Sequence, residues 1–144
     1  MTRRIAMPRD DLFGLVLDPV RWPVFYNNMV SVDEDARFTH PGDRVGFEYR
    51  VLGRLVTAEA RLSEVSRPEN VGLTTRIPGA AASRQWWTFR DEGQVTLVSA
   101  RLETDEVTEW FGAPLDRYVV ARSLQADLSR TLDNLADLVA SGLV

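Results

Sequence analysis

Cysteine and lysine are absent from the 144-residue chain, and His40 is its single histidine, so all 17 basic residues are arginine. Each absence removes a class of chemistry. Without cysteine there is no disulfide and no thiolate nucleophile, and without lysine no side-chain Schiff base or lysine-anchored cofactor. Zinc sites of the usual kind draw on several Cys and His ligands, so one histidine argues against them. A Ser-His-Asp triad would have to be built on His40. Codon bias in a G+C-rich genome accounts for arginine in place of lysine, and no function is read from it. Long apolar runs are also missing. Leu15-Val16-Leu17 is far too short to cross a bilayer, and no apolar h-region follows Met1-Thr2-Arg3-Arg4, where Pro8, Arg9, Asp10 and Asp11 intervene. A formal net charge of -4 opposes non-specific nucleic-acid binding, which needs a basic face. These features describe a cytoplasmic protein with no nucleic-acid partner, no integral membrane segment, and no metal or organic cofactor.

What is present suits one soluble domain spanning residues 1–144. Hydrophobic residues make up 44% and charged residues 26%, enough for a core and a hydrated surface. No linker, repeat or low-complexity tract divides the chain. Residues 2–7 suit a short strand. Pro8 then opens a helix whose first turn carries Asp10 and Asp11, and Asp18-Pro19 opens a second, short helix with Trp22, Phe25 and Tyr26 on one side. From about residue 29 to 104 the period becomes two. Val45, Phe47, Tyr49 and Val51 share one face; so do Val56, Ala58, Ala60 and Leu62; then Val71, Leu73, Thr75 and Ile77; then Gln85, Trp87 and Phe89; then Thr96, Val98, Ala100 and Leu102. Turn signals at Pro41-Gly42-Asp43, Gly53, Pro68-Glu69-Asn70, Pro78-Gly79 and Glu92-Gly93 predict an antiparallel meander with one wet and one dry face. A long amphipathic helix follows, with Gly112 and Pro114 marking its start and Gly142 its end. Its apolar stripe is Ala121, Leu124, Leu128, Leu132, Leu135 and Val139; its polar stripe is Ser123, Asp127, Arg130, Asn134 and Asp137. The architecture expected is α+β, with this helix lying across the concave face of the sheet.

The dry face mixes small residues (Ala58, Ala60, Ala100) with large ones (Phe47, Tyr49, Trp87, Phe89). Two outcomes are compatible with that mixture: a pocket held open by aromatic walls, or a helix seated close on the small residues. Thr75, Gln85 and Thr96 are polar on this face and suggest internal anchors or trapped water. Tyr26, Tyr49 and Tyr118 offer hydroxyls, each equally suited to a core position with a wet tip. Arg117 is in line with Ala121, Leu124, Leu128 and Leu135 at 100° per residue, and no dry-face strand position supplies an acid. Either its guanidinium extends to the rim, pairing with Asp105, Glu106 or Glu109, or it meets an anionic group of a ligand. His40 belongs to a hairpin turn and is expected to be solvated. Asp33-Glu34-Asp35 is read as a charged strand edge.

The order strand, two short helices, six antiparallel strands and long C-terminal helix resembles the helix-grip fold of the START-like, Bet v 1-like (SRPBCC) superfamily. Asp18-Pro19-Val20-Arg21-Trp22-Pro23, Gly42-Asp43-Arg44-Val45, Trp87-Thr88-Phe89 with Gly93 and Thr96, and Leu115-Asp116-Arg117 through Leu135 are most similar to its polyketide cyclase/dehydrase-type branch. The resemblance implies a curved sheet of about seven strands gripping the helix over a mainly apolar cavity. It implies a small hydrophobic partner, aromatic, polyketide-like or lipid-like, and a monomer or homodimer. Some members are aromatase/cyclases acting without metal or organic cofactor; the alternative is a non-catalytic carrier or sensor of a lipid or quinone. In the enzymatic version Arg117 would polarise a ketone or enolate oxygen, Tyr49 or Tyr26 would donate a proton, and Trp22, Trp87 and Phe89 would stack on a flat ring. The binding set expected under the helix is Trp22, Phe25, Tyr26, Phe47, Tyr49, Thr75, Gln85, Trp87, Phe89, Arg117, Ala121 and Leu124.

Overall fold

Period-two alternation becomes sheet over most of its expected length. The computed structural model describes residues 1–144 and gathers seven strands into one antiparallel sheet: β1 (Thr2–Ile5), β2 (Met29–Val32), β3 (Arg44–Val51), β4 (Arg54–Ser66), β5 (Asn70–Ile77), β6 (Ala81–Asp91) and β7 (Thr96–Thr104). The strand order is β1-β7-β6-β5-β4-β3-β2, so β2 to β7 form a meander and β1 adds to its far edge. Between β1 and β2 run α1 (Arg9–Leu17), a 3-10 turn (Pro19–Arg21) and the short α2 (Trp22–Phe25). After β7 a small hairpin, β8 (Glu109–Trp110) with β9 (Ala113–Pro114), precedes α3 (Val119–Ala140). This is the helix-grip arrangement.

The predicted dry face is the inner one. Val45, Phe47, Val51, Val56, Ala58, Ala60, Leu62, Val71, Leu73, Ile77, Trp87, Phe89, Val98, Ala100 and Leu102 are all buried there, facing Val120, Leu124, Leu128, Leu132 and Leu135 of α3. Curvature has a local origin. A bulge between Leu62 and Glu64 bends β4, the longest strand, where it pairs with β5. At that bend Gly72 lies beneath the Glu64 side chain, and a Cβ there would come within 2.6 Å of its Cγ, so any larger residue would have to displace Glu64.

Three expectations need correction. The C-terminal helix begins at Val119, because Gly112, at φ +85°, is the second turn residue of the β8–β9 hairpin. The acidic run leaves the sheet: β2 ends at Val32, and Asp33 accepts a hydrogen bond from the Gly46 amide at 3.0 Å. Asp127 is not on the solvated stripe of α3; it is buried against the rest of the protein, as is Thr131 one turn on. His40 is exposed in its turn, as expected. Asp43 orders that turn by accepting from the Thr39 and His40 amides and the Thr39 hydroxyl, and these bonds lower its pKa to about 2.

Candidate functional site

The largely apolar space enclosed by the sheet, α2 and α3 is lined by Trp22, Tyr26, Met29, Phe47, Tyr49, Ala60, Leu73, Thr75, Ile77, Ser83, Gln85, Leu102, Leu124, Asp127, Leu128 and Thr131. The cavity measures about 50 Å³, room for a few water molecules. A ring-sized guest therefore requires side chains of the wall or the mouth to move.

Asp127 organises the polar side of this space. Its Oδ1 accepts hydrogen bonds from Asn27 Nδ2 and Asn28 Nδ2, both 2.8 Å, and its Oδ2 accepts one from the Tyr49 hydroxyl at 2.6 Å. One turn on, Thr131 Oγ1 donates to the Asp127 carbonyl at 2.8 Å and accepts from the Asn27 amide at 3.0 Å. Each element supplies what its geometry allows. The chain leaving α2 turns through Asn28, at φ +66°, a left-handed conformation that Asn tolerates better than most residues. That turn brings two amides to α3, while strand alternation directs Tyr49 inward from β3. Burial, and then the hydrogen bond and charge of Asp127, push the Tyr49 phenol well above its ordinary pKa. Tyr49 therefore stays neutral, with its proton committed to Asp127 and its lone pairs free to accept.

A second group of polar atoms sits on β5 and β6. Tyr26 Oη and Trp87 Nε1 both donate to Gln85 Oε1, at 3.2 and 3.1 Å, which leaves Gln85 Nε2 without a protein acceptor. Burial raises the Tyr26 phenol too, the Trp87 indole opposing it only in part. Thr75 and Ser83 are cross-strand partners on the cavity wall, and neither hydroxyl bonds to another protein group. The wall thus offers a hydrogen-bond donor at Gln85, hydroxyls at Thr75 and Ser83, and an acceptor at Tyr49.

Of the twelve residues expected beneath the helix, Trp22, Tyr26, Phe47, Tyr49, Thr75, Gln85 and Leu124 line the cavity. The other five do not. Phe25, Trp87 and Phe89 are at most 1% exposed and form core behind the cavity, where Trp87 stacks on Phe89 and Phe13 meets Phe89 edge-on. Ala121 is half-buried outside it. Arg117 is exposed, with its guanidinium 4.9 Å from the ring centre of Tyr118, because it lies two residues before α3, where the 100° helical stripe does not extend. Thr96, the third polar residue of the dry face, donates to the Met7 carbonyl at 2.7 Å and is structural. Asp127 was missed because it was assigned to the polar stripe. A usable signal was Thr131, which at 100° per residue falls between Asp127 and Leu124 and so marks the boundary as buried.

The family model for polyketide cyclase/dehydrase and lipid transport matches residues 1–140. The chain belongs to that family. Solved structures show the fold of this polyketide cyclase-like protein at low sequence identity. The Zhui aromatase/cyclase from Streptomyces sp. R1128 superposes with a TM-score of 0.81 at 12% identity, over 100% of this chain and 93% of that one. A START superfamily protein from Mycobacterium smegmatis gives 0.80 at 14% identity, over 98% and 95%. The di-domain ARO/CYC StfQ of the steffimycin biosynthetic pathway gives 0.70 at 22% identity, over 96% of this chain and 43% of that one. None of the curated proteins compared with this family member matches it. No helix is long and apolar enough to cross a membrane, and no group of three or more His, Cys, Asp or Glu is placed to hold a metal ion.

Proposed function

We propose that the protein binds a small, mainly apolar molecule carrying hydroxyl or carbonyl oxygens in the cavity beneath α3. One observation carries the reading: the half-buried Tyr49 phenol bonded to the buried Asp127 carboxylate, braced by two asparagines, within a wall otherwise mostly apolar. Ligand pockets have this composition, an apolar lining with a few placed polar groups that orient the guest. Membership of the polyketide cyclase/dehydrase and lipid transport family supports the same class of ligand.

Two versions differ in chemistry. As a cyclase, the site would hold a poly-ketone in a folded shape and stabilise an enol or enolate. As a carrier or sensor, it would bind and release the molecule unchanged. The geometry favours the second. Tyr49 gives its proton to Asp127 and Tyr26 gives its own to Gln85, so neither phenol is free to protonate a leaving oxygen. Arg117, the residue expected to polarise a carbonyl, is outside the cavity.

Native mass spectrometry of gently purified protein, followed by solvent extraction, tests the reading. A retained oxygen-bearing apolar molecule, recovered unchanged after incubation with fresh protein, supports the carrier version; its conversion supports the cyclase. Tyr49→Phe, which removes the accepting oxygen together with the O–H bonded to Asp127, is expected to weaken retention about tenfold. Preparations without any bound mass, together with no uptake of added hydroxynaphthalenes, would overturn the proposal.

A further inference from the structure

Two arginines occupy inward-facing strand positions. Arg3 of β1 is opposite Val98 and is neutralised by Asp133 of α3 at 2.9 Å. Arg54, the first residue of β4, is opposite Val51, one inward step beyond the Tyr49–Val56 pair and so about 7 Å along the strands from the cavity wall. Arg54 belongs to no ion pair. Its guanidinium instead lies 3.7 Å from the ring centre of Phe111.

Antiparallel topology makes this position the mouth. β3 ends here, β4 begins, β5 and β7 end and β6 begins, so the Leu52-Gly53 and Pro78-Gly79 turns are at one end of the sheet with the exit from β7. The segment from Asp105 to Tyr118 then crosses that end to reach α3, as a strap. Its start is tied to β6, where the Asp105 amide donates to the Ala82 carbonyl at 3.2 Å and the Asp105 carboxylate pairs with Arg84 at 3.0 Å; beyond Asp105 few interactions hold the strap. Its β8–β9 ladder is internal, and Val107, Trp110 and Phe111 contribute side chains to the core.

The closed strap also carries strain. Trp110 Nε1 is buried without a hydrogen-bond partner, and so is Thr104 Oγ1 where the strap begins. A buried donor with no acceptor is unfavourable. Phe111 and Leu52 are both left-handed, at φ +51°, as first residues of two-residue turns where Asn or Asp is usual. Two bulky residues in that conformation at adjoining hairpin tips are the kind of outlier that accompanies a functional constraint.

We propose that Arg54 and Phe111 form a latch over the cavity mouth, and that when the strap lifts, Arg54 exchanges the ring for the oxyanion of a bound amphipathic molecule. The ligand class narrows accordingly, to an apolar body with a single carboxylate or comparable anion at one end. This rests on the binding function proposed above. Guanidinium groups pair with such oxyanions through two parallel N–H bonds, and the Phe111 ring offers neither hydrogen bonds nor full charge.

Paired fluorescent probes provide the test: 1-anilinonaphthalene-8-sulfonate, and N-phenyl-1-naphthylamine, which has the same rings without the sulfonate. The wild-type chain is expected to prefer the sulfonate, and Arg54→Gln to weaken that probe about tenfold while leaving the neutral one within twofold. Arg54→Lys should restore part of the preference by keeping the charge. In NMR spectra, adding the sulfonate should move the Arg54 Nε–H signal out of the ring-current position that Phe111 imposes. Equal losses for both probes, or none, with an unshifted Arg54 signal would overturn the latch and leave the binding function standing. Failure of the wild-type chain to bind either probe would overturn both.

Discussion

Asp127 has three polar neighbours on its carboxylate and little water, so its value is in the bonds it accepts. Asp127→Asn keeps the volume but removes the charge that three donors share and leaves the Tyr49 O–H without its acceptor. We expect a loss of about 2 kcal/mol, seen as a lower urea midpoint at unchanged slope, since hydrogen bonds to charged groups are worth about 1.5–3 kcal/mol. Tyr49→Phe should cost less, because Oδ1 keeps both amides. This residue also shows where sequence reasoning failed. Alternation puts no acid on the inner strand positions, but the acid enters from the helix opposite. Strand alternation reports only on the strand that carries it, so an acid delivered by a packing partner leaves no trace in that pattern.

Strand faces were legible because period two is local: Phe47, Tyr49, Thr75 and Gln85 point inward, as alternation predicts. The helix start was not, because Gly112-Ala113-Pro114 carries the same punctuation for a hairpin turn as for a helix boundary. Turn chemistry yields a further prediction. Leu52 holds a left-handed position in the Leu52-Gly53 turn while 41% exposed, so its side chain gains little from burial. Leu52→Asn should stabilise the protein by about 1 kcal/mol, read as a raised urea midpoint. Were that substitution destabilising, Leu52 would be held by contacts in the strap that outweigh its backbone strain.

Cohesion is unevenly distributed over the molecule. β4 to β7 pair along most of their length and back onto the buried stripe of α3, whereas the strap, once past Asp105 and its bonds to β6, pairs with no strand of the main sheet. Hydrogen exchange should therefore be fastest for the strap amides outside Asp105, Leu115, Tyr118 and the β8–β9 ladder, which are hydrogen-bonded, and slowest in β6 and β7. Strap amides as slow as those of β6 would mean that the mouth opens only when the whole domain unfolds, and would leave the cavity at its closed size.

Asp127 ties three distant stretches of chain to a single carboxylate: the Asn27-Asn28 turn, β3 through Tyr49, and α3, on which it resides. The floor of the cavity is thus also a cross-brace of the fold. Occupancy and thermal stability are then thermodynamically linked, with a guest that bonds to Tyr49's free lone pairs raising the melting temperature in proportion to its differential affinity for the native state. A guest that draws the phenol away from Asp127 would spend part of its affinity on slackening the brace. Ranking small molecules by melting shift should therefore favour hydrogen-bond donors over acceptors of equal size at this end of the cavity.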